Sequence, residues 1–447
     1  MTTRRQAIQL AGLTALSAAL PLIAQPAADY TLEIAPFTLE PSPRHRYKTV
    51  AYNGSVPGPL LRMKEGRPVT IDVRNRSPHA EVVHWHGLFL PSQVDGAMEE
   101  GTPMIPSCGR ARYTFTPKPS GFRWYHTHVS AEKDLSRGQY SGLHGVLMIE
   151  PRDNPGRYDQ EASLVLHDLG GQLLSSDDGS MNPSYDVSTI NGRVTGYGEP
   201  LHVRAGQRLL LHILNASPTE VHWIALAGHS LQVIALDGNA VPQTKRVSML
   251  RLAPAERASM YVELNNPGVW VLGEVRKHIQ AAGMGIVVEY TDRTGKPQWQ
   301  QPESLVWDYA QFADIASSGE IEPDATEIPL VFTSKFAGHG ALDHWAINGK
   351  SFPDTDSPIF TEGKRHRLLF RNHSTDDHPV HLHRHSFEIT RIAGGPRLRG
   401  LMKDTVLVMA GTEVAVELIA DNPGPTLFHC HQQDHMDMGF MMLFRYA

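Results

Sequence analysis

The chain predicts an all-β protein of three related sandwich or barrel domains. Short β-rich runs, such as residues 67–74 and 209–214, alternate with turn residues. The 38 glycines and 32 prolines punctuate almost every stretch that could carry a helical period. One segment also recurs at intervals of roughly 150 residues. Gly66-Arg-Pro-Val-Thr-Ile-Asp-Val-Arg-Asn75 is echoed by Gly206-Gln-Arg-Leu-Leu-Leu-His-Ile-Leu-Asn215 and by Gly363-Lys-Arg-His-Arg-Leu-Leu-Phe-Arg-Asn372. In each copy a turn glycine opens a strand that ends at asparagine. At 447 residues the chain exceeds one ordinary core.

Taken in order, residues 1–28 read as an export signal. Arg4-Arg5 precede a modest apolar run, with small residues between Ala24 and Ala28 suited to cleavage. Gly12, Ser17 and Pro21 interrupt that run, which argues against a membrane anchor and for twin-arginine export to the periplasm. The mature chain is expected to make no stable membrane insertion and to act as a monomer. Three domains follow, at residues 29–152, 160–292 and 305–447. Residues 292–303, rich in Gly, Pro, Lys and Gln, read as the second linker.

Bulk composition narrows the function. Hydrophobic residues at 41% and charged residues at 20% describe a soluble globular chain. The net charge of −6 becomes −8 once the signal removes two arginines and no acids, which excludes a nucleic-acid surface. Only Cys108 and Cys430 occur, so any disulfide would consume Cys430. With Cys430 a ligand, Cys108 is expected to be buried as a small hydrophobe.

Histidine is the outlier, at 24 residues. Random placement gives about 1.3 His-x-His pairs, whereas the chain has five: 84/86, 126/128, 381/383, 383/385 and 429/431. On a strand each pair turns two imidazoles to one face. The accidental pair is taken to be His383/His385, with His385 structural or placed behind the ligating histidines. Two pairs lie in the first domain and the rest in the third, too many for one tetrahedral zinc and suited to several metals at an interface. His378, Cys430 and His435 form a second, His₂Cys set within the third domain, of the kind that suits copper electron transfer. Cys430 between His429 and His431 places the two sets back to back across one strand. His167, His202, His212, His222 and His229 of the second domain read as structural or surface residues.

These motifs resemble a known family. His84-Trp-His-Gly87, Trp124-Tyr-His-Thr-His128, His378-Pro-Val-His-Leu-His383 and His429-Cys-His431-x₃-His435 are similar to the four copper-binding motifs of multicopper oxidases, which include laccases and bacterial copper-tolerance oxidases. The resemblance covers the whole mature chain. It implies three cupredoxin-like Greek-key domains and four coppers: one type 1, one type 2 and a type 3 pair. Carried over, His378, Cys430 and His435 would hold type 1 copper, and His84 and His381 type 2. His86, His126, His128, His383, His429 and His431 would hold the type 3 pair. Asp95 matches an acid that orients water at type 2 copper, with a plain Asp-Gly turn as the alternative. Two positions depart from many bacterial members. Phe440 stands where an axial Met is common, with Met438, Met441 and Met442 close enough to replace it if the strand shifts. Met436 stands where a proton-moving carboxylate is common, leaving Asp95 as the one named candidate for proton delivery.

The implied reaction takes single electrons from phenols, aromatic amines or similar donors at His435, and passes them through Cys430 to reduce O₂ to water. A Cu(I) metallo-oxidase is the alternative, supported by Met436, Met438, Met441 and Met442. A nitrite reductase leaves the first-domain histidines unexplained, and a non-catalytic copper store has no need of Cys430. Asp434, Arg397 and Arg399 read as a solvated loop near His435, with a substrate rim as the alternative.

Overall fold

The computed structural model describes residues 26–151, 156–176, 179–317 and 324–447. The twin-arginine segment lies almost wholly outside the described residues. The fold is nearly all strand, and the described α-helices span four or five residues each. Among the described residues no helix is long and apolar enough to cross a membrane.

The recurring segment builds the same device three times. Strands Val69–Asn75, Arg208–Asn215 and Arg365–Asn372 each run parallel to an early strand of their own unit and antiparallel to a later one. Gly66, Gly206 and Gly363 open them with φ of 75°, 81° and 73°, a left-handed turn that glycine adopts without a Cβ clash. The terminal asparagines then bond across each unit, to a strand of the other sheet in the second and third units and to an isolated bridge residue in the first. Asn75 Nδ2 donates to the Ile105 carbonyl (2.9 Å), Asn215 Nδ2 to Leu252 (2.8 Å) and Asn372 Nδ2 to Val408 (3.0 Å). Their Oδ1 atoms accept from the backbone N–H two residues on, at Ser77, Ser217 and Ser374.

Each unit is a cupredoxin-like sandwich of two sheets. The first has strand order His45–Tyr52, Tyr30–Ser42, Val69–Asn75, Arg110–Phe115 in one sheet and Gly58–Lys64, His144–Glu150, Gly121–Thr127, Val83–His84 in the other. Its core draws on both, with Leu32, Ile71 and Val73 from one and Leu61, Leu147 and Ile149 from the other. Each such side chain contributes about 1.5–3 kcal/mol by leaving water. The second and third units each pair a six-stranded with a five-stranded sheet. Residues 292–303 hold no named strand or helix, and within them Gln298 makes an isolated parallel bridge to Trp270 of the second unit.

One expectation fails. Cys108 is exposed, not buried. It sits at φ 59° in a tight turn closed by the Gly109 N–H on the Pro106 carbonyl, and that geometry carries the thiol out of the core.

Candidate metal centre

Strand pairing aligns the histidines before any metal is considered. In the first unit His84 lies directly opposite His126. In the third, His381 lies opposite His429 and Val380 opposite Cys430. Directly opposed side chains stand roughly 5 Å apart, so each sheet presents a patch of imidazoles. The two patches meet face to face. His84 stacks on His383 with ring centroids 4.0 Å apart, and His86 stacks on His381 at 3.8 Å.

The eight histidines resolve into three groups, two of which share His86, each with ligand atoms within 4.8 Å of one another. These are His84/His86/His381, His86/His126/His431 and His128/His383/His429. The pair taken as accidental divides: His383 belongs to a group, while His385 donates from Nδ1 to the His383 carbonyl (3.0 Å) and accepts at Nε2 from the Tyr446 hydroxyl (2.6 Å).

The outer nitrogens are anchored. His84 Nδ1–H donates to the Asp95 carbonyl (2.9 Å), His381 Nδ1–H to the Asp404 carbonyl (2.7 Å) and His429 Nδ1–H to the Cys430 carbonyl (2.8 Å). Their inner partners are not all satisfied. His84 Nε2, His86 Nδ1, His126 Nε2, His381 Nε2 and both nitrogens of His431 are buried without a hydrogen bond. Each such buried atom costs about 1–3 kcal/mol if left bare. Burial, followed by mutual repulsion, pushes His86, His126, His381, His383, His429 and His431 well below the usual imidazole range, and His128 down to about 3. Neutral imidazoles with inward lone pairs are what a copper cluster needs.

The His₂Cys group stands on the other face of the Cys430 strand. Cys430 Sγ is 3.7 Å from His378 Nδ1 and 3.5 Å from His435 Nδ1, and the two nitrogens are 3.1 Å apart. Ser374 donates to Asn372 Oδ1 (2.7 Å) and so accepts from His378 Nε2–H (2.8 Å), which turns Nδ1 inward. The repeat asparagine therefore also orients this ligand. Burial raises the Cys430 thiol pKa well above its ordinary value, so metal binding must displace a proton there. Phe440 is fully buried with its ring 4.7 Å from that of His378. Met442 belongs to the next strand, paired with Phe428 in the core.

His435 reaches the surface through a cavity of about 240 Å³ lined by Asp343, Trp345, Asp376, Asp434 and Met438, among others. Trp345 packs on His435 at 4.0 Å. Asp434, read from sequence as part of a solvated loop, is instead 7% exposed on the short helix Gln433–Asp437. Arg397 and Arg399 do not line the cavity.

Asp95 is fully buried, its Oδ2 3.1 Å from His84 Nδ1 and 2.9 Å from His383 Nδ1. Burial opposes its ionisation, yet the two imidazoles hold its pKa low. Three further acids escaped the sequence reading. Glu100 accepts from the Leu427 N–H (2.6 Å) with its other oxygen unpaired, and nothing in a Gly- and Pro-rich turn announces it. Asp376 borders His435 at 3.8 Å. Asp404 lies 3.1 Å from His86 Nε2. A charged pair, Lys403-Asp404, inside the apolar run ending at Val408 was its available signal.

Family models described as multicopper oxidase match residues 33–154, 158–287 and 326–447. The multicopper oxidase MmcO of Mycobacterium tuberculosis is 29% identical over 88% of this chain and 82% of its own length. Laccase-4 of Thanatephorus cucumeris is 27% identical over 86% of this chain and 82% of its own. The crystal structure of Fet3p, described as a multicopper oxidase that functions in iron import, superposes with a TM-score of 0.80 at 19% identity, covering 94% of this chain and 90% of that one.

Proposed function

The chain belongs to the multicopper oxidase family and is a copper-binding oxidoreductase; on that premise we propose which residues hold the metal and where the donor enters. His378, Cys430 and His435 would hold type 1 copper. His84 and His381 would hold type 2, with His86, His126 and His431 on one type 3 ion and His128, His383 and His429 on the other, four in all. Copper in these places supplies one-electron transfer at the first site and four-electron reduction of O₂ to water at the second. The observation that carries the reading is the set of bare, inward imidazole nitrogens, placed across one strand from a His₂Cys group.

The chain's own residues do the rest. Cys430 joins the two sites through its backbone, since His429 and His431 are its immediate neighbours. Phe440 offers no donor atom, which leaves three protein ligands and favours Cu(I), hence a high potential. Asp95 holds proton and water positions between His84 and His383, with Glu100 as an acid at its back. Residues 1–28 would direct twin-arginine export to the periplasm, and the mature chain would work there as a monomer.

Phenols and aromatic amines at the His435 edge are the first donor reading, supported by the laccase relative. A reduced metal ion, including Cu(I), is the second, favoured by Asp343, Asp376 and Asp434 around the cavity. O₂ uptake by the copper-loaded chain with phenols, aromatic amines, Cu(I), Fe(II) and Mn(II) tests both. Turnover with organic donors alone supports the first reading, and turnover with metal ions alone the second. No uptake with any donor refutes the proposed oxidase.

A further inference from the structure

His86 is held the other way round from its neighbours. His84, His126, His381, His383 and His429 all place Nδ1 on a protein partner. His86 instead places Nε2 against Asp404 Oδ1 at 3.1 Å, and its buried Nδ1 is bare. An ionised carboxylate only accepts hydrogen bonds, so the nitrogen facing it must carry the proton. The lone pair is then forced onto Nδ1.

Asp404 itself has no freedom to turn. Arg257 grips it as a fork, Nη1 to Oδ1 and Nη2 to Oδ2, both at 2.6 Å. Arg123 Nη1 adds a contact to Oδ2 at 3.4 Å. Asp237 and Glu256 of the second unit hold Lys403 at 2.9 and 3.1 Å, and the Asp237 carbonyl accepts from Arg257 Nη2 at 3.0 Å. Three bases and three acids, all fully or nearly fully buried, thus balance, and His86 need not supply a charge. Gly87 makes room: a Cβ there would lie 2.7 Å from Asp404 Oδ2 and 2.9 Å from Arg257 Nη2.

We propose that Asp404, locked by Arg257, is the positioning residue that presents Nδ1 of His86 to the histidine cluster. The same residue's carbonyl fixes His381, so one position sets two ligands. The second unit holds none of the eight cluster histidines, yet through Arg257 and Asp404 it reaches two of them, His86 and His381. Groups that orient metal ligands from behind are worth about 10–100-fold in metal affinity.

This inference rests on the copper reading above, and the test separates the two. Full-length Asp404→Asn and Arg257→Lys variants are loaded with copper and assayed for copper per chain, blue absorption and the magnetic resonance signal of the cluster. Asp404→Asn should keep the blue site while cluster copper binds about 10–100-fold more weakly. Arg257→Lys keeps the charge but loses the fork, and should weaken it less. Full cluster occupancy with an unchanged magnetic signal in Asp404→Asn overturns the proposal. Should that variant fail to fold, imidazole nitrogen shifts in the ¹⁵N-histidine-labelled wild-type chain decide instead. The proton on Nε2 of His86 supports the proposal, and on Nδ1 overturns it. A wild-type chain that takes up no cluster copper refutes the copper reading alone, because the tautomer can still be read in the metal-free chain.

Discussion

The second and third units use one pair of positions for opposite purposes. In the third, His378 lies opposite Val408, and Cys430 follows on the adjacent strand opposite Val380. In the second, His222 lies opposite Leu252, and Glu274 stands opposite Ile224. The repeat asparagine bonds Leu252 in one and Val408 in the other, so the two pairs occupy the same place in the fold. His378 and Cys430 sit 3.7 Å apart, with a weakly accepting serine behind the imidazole. His222 is clamped between Glu274 (3.2 Å) and Asp168 (2.9 Å). Burial pushes His378 far down, whereas at His222 the carboxylates outweigh burial and lift it to about 9. A neutral imidazole can bind metal, and an imidazolium cannot. Three residues further on, the contrast repeats: His381 and His383 of the third unit are matched by Ala225 and Ala227 of the second.

Cys430→Ser is the largest test of this contrast. It removes the thiolate while leaving His429 and His431 in place. Loss of blue absorption and of donor-dependent O₂ uptake, with cluster copper retained, is expected. Retention of full activity would contradict electron entry through this strand.

Removing the imidazole from the second unit should act on stability alone. His222→Gln leaves buried Asp168 without its counter-charge, while Glu274 keeps Arg276, at a cost of about 3–5 kcal/mol. In the wild type the same ion pair should appear as a pH dependence of stability. The folded value of about 9 lies above the ordinary 6.5, so the stabilisation is complete below the latter and fades as pH rises through the former. The amount is about 3 kcal/mol. Thermal melts across that window should fall in the wild type and stay flat in the variant, and equal slopes would contradict the ion pair.

These comparisons also mark what the sequence could carry. The His-x-His pairs, the three Gly-to-Asn strands and the His₂Cys spacing are local patterns, and local patterns survive in one dimension. The strand pairing that sets His84 against His126, and His381 against His429, joins residues far apart in the chain and shows only in the fold. Asp404 and Arg257 are 147 residues apart and meet only when two units dock. Glu100 and Asp376 are ordinary turn acids until the chain folds, which buries Glu100 and sets the exposed Asp376 beside His435. Asp434 reads as solvated because a run of polar residues looks like a loop; its place on the short helix Gln433–Asp437 buries it instead. Residue type alone points Cys108 to the core, and its turn geometry carries it to the surface.

The first unit gives the smallest and most distinctive test, because it fills the same two positions a third way. Glu81 bridges Ile105, the residue that Asn75 bonds, and Thr127 lies opposite Val83. Thr127 Oγ1 donates to Glu81 Oε2 at 2.7 Å, in the place of the His–Cys and His–Glu pairs. Burial lifts Glu81 to about 7, and Thr127 and Arg137 offset only part of that. The folded chain therefore favours the protonated acid. Its contribution is complete below the ordinary 4.5 and is lost as pH rises through about 7. Glu81→Gln keeps an acceptor for Thr127 and cannot ionise. It should match the wild type near the acid end of that window and exceed it by up to about 3 kcal/mol at the alkaline end. Denaturant titrations at both ends measure the difference. The blue absorption should not change, since Glu81 lies in another unit from His378, Cys430 and His435. A variant that is less stable than the wild type at the alkaline end would mean that the ionised Glu81–Thr127 pair supports the fold, and that the three units differ less in charge than in partner.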